Sequence, residues 1–283
     1  MANSIIKPEL LDQSILFARL AAASYLDTTA AAVPGLEKLK NELRLNEENS
    51  ANKTDTQALL GRWNNDVVIA FRGTENKLSD WWTDLKGELV PHPEGIGRIH
   101  KGFKTASESV HRHIVRFIKN VAVSETRLYI CGHSLGGAMA LITAGRLAAD
   151  ASLPPIRGVF TYGSPRIGDT DHVTAYRTLP VGPKTNMWIA AGDPVARVAP
   201  HSFQYRHAAE KQYTLNQGAI GITELDSLVA FQEEEAAMAK FPIIQGALGV
   251  FGRLKNAFQN LDAAEHSIND SYLKQLLLAK KSV

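Results

Sequence analysis

Leu128 to Ala140 reads LYICGHSLGGAMA, an apolar run that stops at Gly132 and resumes beyond one serine as a string of small residues. The pattern predicts a strand over Arg127 to Cys131 and a helix over Leu135 to Asp150. Gly132, Ser134 and Gly136 thus stand as Gly-x-Ser-x-Gly at a strand-to-helix corner. So abrupt a turn holds its corner residue at strained φ/ψ, and a Cβ on either flank would strike neighbouring backbone. The helix that follows offers unpaired N–H groups and the positive end of its dipole to negative charge developing beside the serine. Ser134 is the candidate nucleophile, and the Leu135 N–H is an expected oxyanion donor. Bare matches to this motif arise by chance in glycine-bearing loops. Here the strand before it, the helix after it and Gly137, which lets that helix approach the sheet, set it apart.

Outward from this corner, Asp66 to Arg72 (DVVIAFR) is a β-branched run halting at Gly73, and Gly158 to Tyr162 and Asn186 to Ala191 are further strands. A helical period over Phe103 to Val123 completes an alternation of strands and helices, which predicts a doubly wound, mostly parallel sheet in a single domain spanning 1–283. The spacing also predicts helices over Leu16 to Leu26 and Leu36 to Leu45, and a hairpin over Phe203 to His207 and Lys211 to Leu215. Helical structure is expected over about 218–262. The 31 basic side chains nearly balance the 29 acidic ones and form no like-charged block, so nucleic acid is not an expected partner. Cys131 is the only cysteine, which excludes an intrachain disulfide. Glu9, Asp12 and Arg19 are unlike a Sec signal peptide, and a cytoplasmic location or another export route is expected. No apolar run reaches the roughly 18 residues of a membrane-spanning helix. His111 and His113 stand two apart, there is no His-Glu-x-x-His run, and Asp169, Asp171 and His172 read as a solvated loop. No metal or organic cofactor is expected.

Six blocks occur in order: VVIAFRGT at 67–74, DWWTDL at 80–85, IHKGF at 99–103, GHSLGGAMA at 132–140, TYGSPRIGD at 161–169 and AGDPVARVAP at 191–200. Across roughly 60–275 the chain resembles the class 3 lipase family, also called fungal-type or Rhizomucor-like lipases. That resemblance implies the α/β-hydrolase fold, with a mostly parallel central sheet and helices on both faces. It also implies hydrolysis of carboxylic esters through an acyl-enzyme, with triacylglycerols as the expected substrate and a lipid–water interface as the expected setting. Phospholipids and feruloyl-type esters are served by relatives of the same architecture, so fold alone leaves the substrate open. The reading from another class is a catalytically silent lipid-binding protein.

A serine hydroxyl is a poor nucleophile near neutral pH, so a histidine must take its proton and an acid must fix that histidine's tautomer. Asp193 follows the apolar run NMWIAA and precedes Pro194, which keeps it extended at the strand's end, and the resemblance puts the family's catalytic acid here. In chain order only His201, His207 and His266 come after it. The resemblance assigns the base to His266, which lies between a polar stretch and SYLKQLLL. The second oxyanion donor is expected after the first central strand, where Thr74 offers both an N–H and a hydroxyl. Leu78, Trp81, Trp82 and Leu85 then fall at i, i+3, i+4 and i+7. The resemblance makes this stripe a lid candidate, with a helix packed permanently on the body as the alternative. Phe241 to Phe251 (FPIIQGALGVF), within the expected insertion at 218–262, is a second acyl-cleft candidate, with a core helix or dimer contact as its plainer reading.

Overall fold

The computed structural model describes residues 6–26, 39–45, 56–73, 88–197, 204–223 and 266–282. Among the described residues eight strands form one sheet: β1 (Leu39–Leu45), β2 (Ala58–Trp63), β3 (Asp66–Phe71), β6 (Leu128–His133), β7 (Ile156–Tyr162), β8 (Thr185–Ala190), β9 (Lys211–Asn216) and β10 (Ala219–Ile222), adjacent in that order. The remaining two, β4 (Leu89–Pro91) and β5 (Arg98–His100), make a separate antiparallel pair. From β3 to β9 every pairing is parallel, and the strands outside that block pair antiparallel. This is the mostly parallel sheet expected from the alternation of strands and helices.

Both faces of the central strands are buried, which is why β3 and β6 read as unbroken apolar runs. Val67, Ile69, Phe71 and Ile130 face one core, shared with helices α2 (Lys101–Val121) and α3 (Leu135–Ala149). Val68, Ala70, Tyr129 and Cys131 face the other, covered by α1 (Pro8–Ala23) and by the C-terminal segment containing Ile268, Tyr272 and Leu276. Phe17 of α1 stacks on Tyr129 and Phe160, with ring centroids 5.0 and 4.6 Å away. Such pairs add about 0.5–1.5 kcal/mol each beyond their buried area. The hydroxyl of Tyr162 also donates to the Ser14 carbonyl at 2.5 Å. These contacts fix α1, and with it Tyr25 just beyond its C-terminus, against the sheet.

Four expectations change. Leu39 to Leu45 is an edge strand, not a helix: LKNELRL alternates at period two as readily as it follows a helical stripe, and antiparallel pairing with β2 decides between them. The hairpin is β9 with β10, not Phe203 to His207 with Lys211 to Leu215, because Gln217 and Gly218 both take positive φ (50° and 83°), as a two-residue hairpin turn requires. Arg206 makes a single bridge to Gly168. Residues 219–222 are therefore strand, and residues 224–262 of the expected insertion lie outside the described residues. The segment at Asp169 is the start of a helix and only partly solvated: Asp171 is exposed and Asp169 half-buried. Asp169 caps α4 (Thr170–Thr178) by accepting the His172 N–H at 2.8 Å, and His172 is fully buried. Among the described residues no helix is long and apolar enough to cross a membrane, and no group of three or more His, Cys, Asp or Glu side chains could hold a metal ion.

Candidate active site

The end of β6 and the start of α3 make the corner expected around Ser134. Ser134 takes φ 57° and ψ −129°, a strained conformation for a residue with a Cβ. Its N–H donates to the Tyr162 carbonyl on β7 at 2.9 Å, and its own carbonyl accepts the Gly137 N–H at 2.9 Å, locking both sides of the turn. A Cβ on Gly132 would lie 2.1 Å from the Gly136 carbonyl oxygen, and one on Gly136 would lie 2.3 Å from that of Phe71. The two glycines are needed because the elbow and β3 are in backbone contact. Leu135 opens α3, so its N–H belongs to the unpaired first turn beside Ser134.

Asp193 lies just past the end of β8 and is 1% exposed. Its Oδ1 accepts the Val195 N–H at 2.8 Å, and its Oδ2 accepts His266 Nδ1–H at 2.8 Å together with the Tyr272 hydroxyl. Tyr272 belongs to a π-helical turn, Ile268–Leu273, leading into α5 (Lys274–Lys281). Burial, and the carboxylate it donates to, push its hydroxyl pKa well above the usual value, so it stays a donor. Because the carboxylate can only accept, Nδ1 of His266 carries the proton and Nε2 presents a lone pair. The buried Nε2 of His266 and the buried Oγ of Ser134 have no hydrogen-bond partner among the described residues. The His266 ring lies 4.5 Å, centroid to centroid, from His133, the residue before Ser134.

Gly73, beyond β3, is the last described residue before Thr74. A Cβ there would lie 3.1 Å from Ser134 Cβ and 2.6 Å from the His133 carbonyl oxygen, so this loop runs directly over the elbow. Thr74, Leu78, Trp81, Trp82 and His201 lie outside the described residues. Sequence order left His207 open as the base. It sits in the loop whose Arg206 bridges Gly168, its carbonyl accepts the Arg177 guanidinium at 2.9 Å, and Asp193 makes no bond to it. The structure thus brings Ser134, Leu135, Asp193 and His266 into one region. It adds three side chains that sequence reasoning missed, Tyr25, His133 and Tyr272, each joined to the site by a hydrogen bond.

The family model described as Lipase (class 3) matches residues 68–203, a span that contains Ser134 and Asp193 and stops short of His266. A secreted mono- and diacylglycerol lipase 1 of Fusarium solani is 31% identical over 159 residues, 55% of this chain and 45% of that protein. Phospholipase A1-IIgamma of Arabidopsis thaliana is 32% identical over 151 residues, 42% of this chain and 35% of that protein. The chain spans less than half the length of either relative. The solved triacylglyceride lipase of Rhizomucor miehei superposes with a TM-score of 0.67 at 21% identity, covering 87% of this chain and 94% of that one, and so shares the α/β-hydrolase fold. With its ordered sequence blocks, its elbow and this sheet, the chain belongs over residues 68–203 to the class 3 lipase family.

Proposed function

We propose that this chain is a serine ester hydrolase that cleaves acylglycerols through an acyl-enzyme. The observation that carries the reading is the buried Asp193–His266 pair, whose Nε2, like the Ser134 hydroxyl at the strained elbow, is buried without a hydrogen-bond partner among the described residues. Ser134 Oγ attacks the ester carbonyl carbon while its proton passes to His266 Nε2. Asp193 holds the ring in orientation and stabilises the imidazolium, and Tyr272 holds Asp193. The Leu135 N–H and the Thr74 N–H and hydroxyl receive the negative oxygen of the tetrahedral intermediate. Collapse breaks the C–O bond, and His266 returns the proton to the leaving alcohol. Water then enters by the same route and releases the fatty acid.

Support for acylglycerols comes from the Fusarium relative and from the apolar stripe of Leu78, Trp81 and Trp82 beside Thr74, which suits a site that meets lipid at an interface. A second reading, phospholipase A1 action on the same triad, is favoured by the Arabidopsis relative. The test is fatty-acid release from emulsified tributyrin, triolein, diolein and phosphatidylcholine by the wild type and by Ser134→Ala. The expected result is release from the acylglycerols, lost in the variant. Release from phosphatidylcholine alone transfers the assignment to the phospholipase. No release from any ester, with the fold intact, leaves a lipid-binding protein in its place.

A further inference from the structure

A chain of hydrogen bonds crosses the site behind the triad. The Gly73 N–H donates to the Tyr25 hydroxyl oxygen at 3.1 Å. That hydroxyl lies 2.8 Å from His133 Nδ1, and His133 Nε2 lies 2.7 Å from the backbone carbonyl of His266. A carbonyl only accepts, so Nε2 carries the His133 proton, and Nδ1 accepts from Tyr25. Burial, reinforced by the neighbouring His266, depresses the His133 pKa well below the usual histidine value, so the ring is neutral and this tautomer is fixed. The chain ties together three segments far apart in sequence: the loop leading to Thr74, the residue before the nucleophile, and the backbone of the base. Tyr25 comes from the N-terminal segment, outside the span matched by the family model.

We propose that Tyr25 and His133 are positioning residues which, through this relay, hold the oxyanion loop and His266 in register with Ser134. The proposal rests on the ester-hydrolase reading of the site. Neither side chain takes a proton from substrate; each acts through a group that does. Tyr25 fixes the Gly73 N–H, and hence the entry to Thr74, while His133 fixes the peptide carrying the base. Misplacing a catalytic group by a fraction of an ångström weakens the transition state more than the ground state, so the relay acts on kcat. A residue needed only for folding would lower the amount of active enzyme and leave its turnover alone.

The test compares wild type, Tyr25→Phe, His133→Ala, the double variant and His133→Gln on p-nitrophenyl butyrate. Turnover is referred to the sites titrated by a fluorophosphonate, so that losses in folding are removed. The expected result for Tyr25→Phe is a fall in kcat of about tenfold with KM within about twofold, the size of one buried hydrogen bond. In the His133→Ala background Tyr25→Phe costs less than in wild type, because only its bond to the Gly73 N–H remains to be lost, and His133→Gln, which keeps a donor for the His266 carbonyl, recovers part of the loss. An unchanged kcat, a change in KM alone, or multiplying losses in the double variant would overturn the relay. An isotope-labelled histidine NMR spectrum supplies a readout independent of turnover. His133 is expected as the Nε2–H tautomer, with an Nδ1 shift that moves in Tyr25→Phe, and an Nδ1–H tautomer overturns the proposal. If wild type itself takes up no fluorophosphonate, the ester-hydrolase reading fails; if it labels and turns over while Tyr25→Phe matches it, the relay alone fails.

Discussion

Replacing Gly73 with alanine adds one methyl group where the chain has no room for it. The new Cβ would lie 2.3 Å from the Tyr25 hydroxyl and 2.6 Å from the His133 carbonyl oxygen. An ordinary C···O contact is about 3.3 Å, so the backbone clash alone demands a shift of roughly 0.7 Å. The Tyr25 ring can swing away, but the His133 carbonyl belongs to the last residue of β6, inside the sheet, and cannot. The loop carrying Gly73 therefore moves, and Thr74 moves with it. Overpacking of this kind costs about 1–3 kcal/mol of stability. The larger effect is on the reaction, because displacing an oxyanion donor by close to an ångström costs on the order of a hundredfold. The assay is kcat/KM on p-nitrophenyl butyrate beside thermal unfolding, with a drop of a few degrees in Tm and a loss of about a hundredfold in kcat/KM. Activity within about twofold of wild type at unchanged Tm would refute the close approach of this loop to the elbow.

Tyr272→Phe removes a donor to Asp193 Oδ2, and because hydrogen bonds to charged groups contribute about 1.5–3 kcal/mol, Tm falls and kcat drops about tenfold; unaltered kcat and Tm would show that Asp193 does not depend on it. Ser134→Gly removes the Cβ from a residue at φ 57° and abolishes turnover. It should unfold at a higher temperature than Ser134→Ala, by about 1 kcal/mol, and the opposite order in differential scanning calorimetry argues against strain at the elbow. His172 is buried and held neutral, with its pKa lowered from 6.5 to about 4, chiefly by burial. Its folded pKa is depressed, so its contribution is complete above pH 6.5 and lost as pH falls toward 4. Urea unfolding should show wild type losing up to about 3 kcal/mol more than His172→Asn over that window, and parallel pH profiles would contradict it.

The central strands were legible because both of their faces are buried, which leaves runs such as VVIAF and LYIC without polar interruption. Leu39 to Leu45 was not, since its composition satisfies two periods and only pairing with β2 chooses one. The Gln217–Gly218 turn carried a weak signal, and the apolar residues before it drew the hairpin upstream. In the site, Ser134 and Asp193 stood out from local chemistry: glycines around one, a strand end and a proline beside the other. His266 needed the family resemblance, because residue order left three histidines equivalent. Tyr25 and Tyr272 had no local signal at all: their bonds to His133 and Asp193 span 108 and 79 residues, and neither sits in a motif that demands a tyrosine. His133 lay inside the decisive stretch, yet its role depends on partners that only the folded chain supplies.

In the proposed reaction Ser134 is a nucleophile activated by His266, which Asp193 orients. Incubating the folded protein with a fluorophosphonate and mapping the adduct by peptide mass spectrometry tests it directly. One adduct is expected, on Ser134, formed by wild type, absent in Ser134→Ala and slowed by several orders of magnitude in His266→Ala. An adduct on another residue, no adduct on the folded wild type, or equal labelling rates with and without the His266 ring would contradict it.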